Sequence, residues 1–370
     1  MKKILFAIVL ILSIYFFMDY GLSFFPISVK YRFVGDSKNL ARTKIVLDLD
    51  EKLDVGFNQI WCGSFLAAWK NLEEKVAKEK IRIKGNPQLD RVLANSSDPR
   101  PAIQDESLFI ASGFVKNGIL EEIKNGLQNR FPNVKPPAFG SASPDDIIAY
   151  AFMATSIRFR DPYLEYNKPF IFQDVDGKKS DLRAFGLYRE RGQSLGSLTS
   201  QPKILFNDII EDPSKTMTEF AIDLDINSSP NQIVLSVIEA KPTIKETVDY
   251  VIQRITDCSK KEIDLGPDDE ILVPQIAFRI THEFDQLKNQ IFDNPSLAGC
   301  RLKETIQDID FNLNRSGVAL TSSSQIWAVF ATTNLYYFNK PFLIIMKNRS
   351  NNIPYFVMWV GNSEILNLKN

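Results

Sequence analysis

Residues able to do chemistry are sparse in this chain. It has one histidine, His282. A site that needs two histidines, including the common His-rich zinc sites, is therefore excluded. Cys62, Cys258 and Cys300 lie far apart and form no CxxC pair, so no cysteine framework for zinc or an iron–sulfur cluster exists. They allow at most one internal disulfide and otherwise read as small buried hydrophobes. A Gly-rich phosphate loop ending in Lys-Ser/Thr and HExxH are both missing. Asp145-Asp146 and Asp268-Asp269 are adjacent carboxylates in loop sequence and read as solubility features or helix caps. A Ser-His-Asp site needs only one histidine, but Thr281-His282-Glu283 reads as a polar junction between a strand and a helix. A hydrolase built on His282 therefore ranks last among the readings, and no metal or cofactor is expected.

The unusual stretch is Gly317 to Tyr337, GVALTSSSQIWAVFATTNLYY. It holds no charge and no proline, and small hydroxyl side chains crowd its start. Read plainly, it is an ordinary strand or hairpin. Read more sharply, it is a long loop that can also become a strand, because nothing in it obstructs entry into a sheet. With a period of two, Val318, Leu320, Ser322 and Ser324 share one face. That face is small or apolar throughout, as burial requires.

The rest of the chain must position this stretch. Its 370 residues, 44% of them hydrophobic, suffice for a sizeable core. Lys plus Arg total 44 against 45 Asp plus Glu, and without a basic excess no nucleic-acid partner is expected. Met1-Lys2-Lys3 precedes an apolar run from Ile4 to Met18, the pattern of a secretory signal. At about 1.5 Å per residue the run is shorter than a bilayer core. However, Leu22, Phe24, Phe25 and Ile27 extend the apolar character, and no Ala-x-Ala cleavage site follows. Residues 1–30 therefore read as a signal peptide or an uncleaved signal-anchor, with a buried core helix as the remaining alternative. Lysines on the N-terminal side direct the body outward, so the protein is expected to be exported: secreted, periplasmic or anchored by this helix alone. Residues 31–370 show no dividing linker and no internal repeat, and read as one α+β domain.

Within that body, Thr43–Asp50 alternates as a strand does, and Trp61–Val76 carries apolar residues at helical spacing. Residues 84–107, punctuated by Gly85, Pro87, Pro99 and Pro101, read as loop. Leu108–Val115 is a strand and Ile119–Phe131 a helix. Pro132–Pro144 is a connector, and Ile147–Phe159 reads as a central strand buried on both faces. Strand composition recurs at Ile171-Phe172, Lys203–Phe206, Glu219–Ile226 and Ile233–Ile238. Thr243 caps a helix running to Ile255. Glu270–Ile280 reads as a strand and Glu283–Phe292 as a helix. Phe342–Met346 and Tyr355–Val360 form a closing hairpin.

These features together resemble a serpin. Serpins carry Phe-x-Val-Asn-x-x-Gly, an alanine-rich hinge, a reactive loop, then Phe-Asn-Lys-Pro-Phe or a close variant. This chain has Phe311, Leu313-Asn314-Arg315-Ser316-Gly317, a Ser-rich stretch, and Phe338-Asn339-Lys340-Pro341-Phe342. Ile271-Leu272-Val273-Pro274-Gln275-Ile276 is similar to the Leu-Pro-Lys-Phe strand, and Leu108–Phe131 to a serpin strand and helix. Asp161-Pro162-Tyr163 through Phe170 falls at the Trp-x-x-Pro-Phe segment. The C-terminal 100 residues carry most of the likeness, and residues 43–140 match loosely.

The resemblance implies large mixed sheets with surrounding helices and an exposed C-terminal reactive loop. It implies a monomeric inhibitor, not an enzyme, whose partner is a serine or cysteine protease. A protease attacks the bait carbonyl, and the cut loop inserts into the central sheet. The hinge would be Gly317, Val318, Ala319, Leu320, Thr321, Ser322, Ser323 and Ser324. Counting from either end puts Phe330 or Ala331 before the cut, with Thr332 beside it. Phe330 suits a chymotrypsin-like pocket and Ala331 an elastase-like one. Alternatively, Trp327, Val329 and Phe330 are core residues of a strand already inserted. The chain departs from the family pattern at Arg315, where an acid is usual, and at Leu320, where alanine is usual. Overpacking by Leu320 would cost about 1–3 kcal/mol, against about 1.5–3 kcal/mol gained by burying it. Gln307 falls at the shutter histidine, Trp61-Cys62-Gly63-Ser64 replaces the Ser-Pro-x-Ser-Ile signature, and the usual Trp is missing near Arg160. These departures keep open a second reading, a non-inhibitory binding or structural surface protein of the same fold.

Overall fold

The computed structural model describes residues 31–370 apart from 133, 135, 138, 140–141, 155–156, 190–194, 209–218, 229, 260–262, 264, 267, 301–304, 317–333 and 370. Residues 31–370 form one compact unit. The chain opens with strands β1 (Phe33–Asp36), β2 (Thr43–Ile45) and β3 (Asn58–Cys62), then helices α1 (Ser64–Leu72) and α2 (Pro87–Asn95). Strand β4 (Leu108–Phe114), helix α3 (Ile119–Arg130) and strand β5 (Ile147–Met153) follow. Next come β6 (Leu164–Gln173), β7 (Lys179–Leu187), β8 (Lys203–Asn207), β9 (Phe220–Asp223), β10 (Asn231–Val237) and helix α4 (Ile244–Cys258). The last strands are β11 (Glu270–Pro274), β12 (Ile276–Glu283), β13 (Ile306–Leu313), β14 (Leu335–Tyr337), β15 (Phe342–Asn348) and β16 (Pro354–Val360).

Among the described residues these strands make four sheets. The largest has seven strands in the order β2-β3-β16-β15-β10-β9-β8. Its centre, β15 and β16, is almost wholly buried, so the two closing apolar runs become the middle of the core rather than a surface hairpin. A four-stranded sheet is ordered β14-β11-β7-β6, a three-stranded one β1-β12-β13, and β4 pairs with β5.

Several expectations change. Trp61 lies in β3, not in a helix: all five residues of that strand are buried between β2 and β16, and α1 begins only after Gly63. The helical pattern then runs on to Ala77 through a π turn over Glu73–Ala77. Residues 84–107 contain α2. Asn86 caps it by accepting from the Leu89 N–H at 3.1 Å, and Pro87 opens it. Proline punctuates a loop in the sequence, but at the first helical position it has no hydrogen bond to lose. The Glu270–Ile280 strand is two strands. The chain changes sheets at Gln275, whose N–H donates to the Arg183 carbonyl. Glu283–Phe292 is not a helix. Its turns close on Phe284 and Leu287, and Asn289 takes a left-handed conformation at φ 61°. The Ile147–Phe159 strand ends at Met153 and, among the described residues, pairs on one side only. By contrast, α4 starts as expected, with Thr243 accepting from the Glu246 N–H at 3.1 Å.

Candidate functional site

The hinge residues Gly317, Val318, Ala319, Leu320, Thr321, Ser322, Ser323 and Ser324 lie outside the described residues, as do Phe330, Ala331 and Thr332. The structure describes what holds the two ends of that segment and what lies beside it.

Upstream stands β13. It alternates strictly, burying Gln307, Ile309, Phe311 and Leu313 and exposing Ile306, Asp308, Asp310 and Asn312. This is the period of a strand with one wet face. Beyond Leu313 the Asn314 Oδ1 accepts from the Ser316 N–H at 2.9 Å, a local turn that asparagine favours. Here the chain meets Tyr163. The Tyr163 N–H donates to the Arg315 carbonyl at 2.7 Å, and the Arg315 Nε donates to the Tyr163 carbonyl at 2.8 Å. Tyr163 is fully buried and its hydroxyl donates to the Leu224 carbonyl at 2.5 Å. Burial holds its phenol well above the ordinary value.

The downstream end is fixed differently. Asp269, 2% exposed, accepts from the Asn334 backbone N–H at 2.8 Å and from its side-chain amide at 3.3 Å. The Gly266 N–H donates to the same carboxylate at 2.9 Å, and the Glu270 N–H donates to the Asn334 carbonyl at 3.0 Å. From there β14 runs parallel to β11. The Tyr337 hydroxyl donates to Glu270, and burial raises its phenol above the ordinary value, with Glu270 adding to the effect. Phe338 then packs edge-on to Phe220 and Phe342, at 5.1 and 5.3 Å between ring centres.

Between these ends, two strands each have an edge with no described partner. One is β13, terminal in its sheet, and the other is β5, paired only with β4. Burial, and then the charge of Asp308 on β13, push the Tyr150 phenol on β5 up to about 12. The chain that follows β5 and the chain that follows β13 meet at the Tyr163–Arg315 contact. Helix α1 underlies the pair. It packs on β4 and β5, while Ser64 Oγ accepts from Gln307 Nε2 at 2.9 Å, as does the Cys62 carbonyl. Gln307 Oε1 is buried with no partner among the described residues. A buried acceptor left unpaired costs about 1–3 kcal/mol, so this is a place where another donor would be welcome.

Other candidate groups have structural roles. His282 sits in β12 with its Nδ1 2.7 Å from Ser37 Oγ and its ring edge-on to Phe284. The serine is on the turn after β1, 8% exposed, so the contact joins two elements. Asp145 pairs with Lys116 at 2.8 Å, and Asp146 accepts from the Ser143 N–H at 2.7 Å. Asp268 lies 3.7 Å from Arg189. Cys62 is buried and its thiol is pushed up by burial, which makes it unreactive. No cluster of three metal-ligating side chains occurs among the described residues. No described helix is long and apolar enough to cross a membrane.

Sequence reasoning missed Tyr163 and Asp269, the residues that hold the ends of the segment. By sequence Asp269 reads as half of a solvated carboxylate pair; the structure buries it.

No family model and no curated protein matches the chain. Solved structures do. The chain is similar to the mouse protein-Z dependent protease inhibitor, at 10% identity, over 82% of this chain and 91% of that one, with a TM-score of 0.50. It is also similar to thyroxine-binding globulin in complex with thyroxine (9% identity, 82% and 92% covered, TM-score 0.49) and to the thermophilic serpin tengpin in its native state (12% identity, 87% and 97% covered, TM-score 0.48). At such identities the likeness is one of backbone architecture, spread over four-fifths of the chain. The chain has a serpin-like fold.

Proposed function

We propose that the protein is an exported protease inhibitor that acts as a suicide substrate through residues 318–337. The observation that carries this reading is that β13, which leads into the segment, has one edge that no described strand occupies. A segment returning from Ser316 would pair antiparallel with that edge. Gly317–Ser324 is eight residues long, as is β13. Its uncharged side chains suit burial against α1.

In this reading a serine protease attacks the carbonyl at Phe330 or Ala331. The peptide C–N bond breaks, an ester to the protease serine forms, and the new amine leaves with the C-terminal piece. Asp269 and β14 keep that piece on the four-stranded sheet. The N-terminal piece, freed at one end, adds a strand at the open edge of β13. Each backbone hydrogen bond gained contributes about 0.5–1.5 kcal/mol net. The attached protease is carried along and distorted before water can release it.

The test is to incubate the protein with chymotrypsin and with elastase, then run denaturing gels and thermal melts. A covalent band that survives denaturant, and is lost in Ser322→Arg, is the expected result. Mass spectrometry of the band locates the bond. Cleavage with no band and no rise in melting temperature would overturn the proposal in favour of a non-inhibitory binding protein.

A further inference from the structure

Strand β1 closes one end of the three-stranded sheet. It pairs parallel with β12, and no described strand pairs with its other edge. Just before it, the Arg32 N–H donates to the Ala277 carbonyl at 2.7 Å. In an extended chain the N–H and C=O of one residue point to the same side, and those of the next residue point to the other. Arg32, Val34 and Asp36 therefore turn their backbone groups to β12. Phe33 and Gly35 turn theirs to the open edge.

The side chains on this edge form a short row. Arg32, Val34 and Asp36 share the exposed face of the sheet. Val34 is 62% exposed, more than any other large hydrophobic side chain among the described residues. Its register partner on β12, Arg279, turns its guanidinium to Asp310 at 2.6 Å and does not cover it. Arg32 and Asp36 make no ion pair among the described residues. Asp36 spends one carboxylate oxygen on the turn that follows, where it accepts the Lys38 N–H at 2.8 Å.

Charges of one sign along an edge strand keep other strands away. Here the sign changes across Val34, so the row complements a copy of itself. A two-fold axis at Val34 sets valine against valine, Arg32 against Asp36 of the second copy, and Phe33 against Gly35 of the second copy. An antiparallel ladder alternates hydrogen-bonded and non-hydrogen-bonded pairs. This register supplies both kinds. Phe33 and Gly35 exchange their outward backbone groups, and the valines meet at the closer, non-bonded spacing. Gly35 puts no side chain across from Phe33. We infer that β1 is a self-association edge: two copies of the chain pair their β1 strands antiparallel about Val34, with an Arg32–Asp36 ion pair on each flank. The pairing joins two three-stranded sheets into one. So short a ladder falls below the roughly 1,200 Å² of a stable interface, so the dimer is a reversible one, where the likeness to serpins implies a monomer. Strand β13 lies at the opposite end of the sheet, and the inference does not depend on residues 318–337.

The experiment is sedimentation equilibrium of the full chain over a wide range of concentration, with hydrogen exchange read at the same concentrations. Wild type is expected to pass from monomer to dimer as concentration rises. The Phe33 and Gly35 amides gain protection with the dimer, while the Val34 amide, turned to β12, is protected throughout. Arg32→Glu makes the row wholly acidic and Asp36→Lys makes it wholly basic. Each is expected to weaken self-association about tenfold or more. Mixed in equal amounts, the two variants are expected to pair with each other, which separates lost pairing from lost folding. A monomer at every concentration would overturn the inference. So would a dimer that survives in both variants, since it must use another surface. Phe33 and Gly35 amides equally protected in dilute and concentrated protein would overturn it too, by showing that the same chain covers the edge. Variants that stay monomeric when mixed would overturn the register.

Discussion

The carboxylate of Asp269 accepts both the backbone N–H and the side-chain amide of Asn334, a residue 65 positions later in the chain. The same carboxylate takes the Gly266 N–H, so three donors depend on one buried acceptor. Hydrogen bonds to an ionised group contribute about 1.5–3 kcal/mol each at most, and donors stranded by its removal must find water or stay unpaired. Asp269→Ala is therefore expected to lower stability by about 2–3 kcal/mol in urea unfolding, and to expose the chain around Asn334–Tyr337 to added proteases. Asp269→Asn, which keeps the shape but not the charge, should lose about half as much. If Asp269→Ala melts like wild type and shows no new cleavage near Asn334, the anchoring role is wrong.

A second prediction concerns close backbone approach in the four-stranded sheet. A Cβ added at Gly186 on β7 would lie 1.8 Å from the carbonyl oxygen of Ile271 on β11. Both are backbone positions in a paired register, Leu272 opposite Gly186, so neither can yield without opening the ladder. Gly186→Ala is expected to cost more than about 3 kcal/mol, as other severe overpacking does, and expression of soluble protein should fall with it. Gly113→Ala on β4 is the matched control. Its added Cβ would meet the Ile119 side chain at 3.5 Å, an ordinary contact, and its melting temperature should stay within a few degrees of wild type.

These two cases bear on what the amino-acid sequence could reveal. The C-terminal hairpin is legible because Phe342–Met346 and Tyr355–Val360 are unbroken apolar runs around an Asn-rich turn. Helix α4 is legible because Thr243 and the residues it caps are local. The serpin-like architecture follows from motifs near the same end, which are contiguous. Other features depend on distant partners. Nothing around Tyr163 foretells that it will meet Arg315, 152 positions away, and nothing around Gly186 foretells the Ile271 carbonyl. Helix α2 was hidden for a different reason. Its Asn86-Pro87 start uses the residues that elsewhere end helices. The edge status of β5 also escaped, because an apolar run states that a strand is buried but not which strands flank it.

The single histidine makes a clean pH prediction. Burial lowers the pKa of His282 below its ordinary 6.5, while Asp285, Asp36 and Glu283 pull it upward and Lys38 lowers it. The folded state thus prefers the neutral ring more than the unfolded chain does. The contribution of His282 to stability is therefore fully present above pH 6.5 and is lost as pH falls from there through its folded pKa. Below that pKa no further loss comes from this residue. Its one imidazole signal in a proton spectrum should titrate with a midpoint under 6.5. Stability in urea should decline over the same range, and less steeply in His282→Gln. A midpoint above 6.5 would mean that the surrounding carboxylates, not burial, govern the ring.

Arg349 supplies the last prediction. It lies in the turn between β15 and β16 and reaches back to β9, where its guanidinium meets Asp223 at 2.6 Å. It also donates to the carbonyls of Ser228 and Asp225 and to the Ser228 hydroxyl at 3.0 Å. Asp223 is 1% exposed. Its other partners are the Gln232 amide at 2.8 Å and the Asp225 N–H at 3.2 Å, neither of which neutralises its charge. Removing the guanidinium alone leaves a buried carboxylate without its hydrogen-bonded counter-ion, with only the more distant Lys347 as a positive neighbour, and breaking such a pair costs about 3–5 kcal/mol. Removing the carboxylate as well relieves most of that. Arg349→Met should therefore be destabilised by about 3 kcal/mol or more, while Asp223→Asn with Arg349→Met should be clearly more stable than the sum of the two single changes. The urea-unfolding cycle measures this directly. Additive losses would show that Arg349 acts through its carbonyl contacts alone, as a pin for the turn, and that the ion pair contributes nothing to holding the closing hairpin against β9.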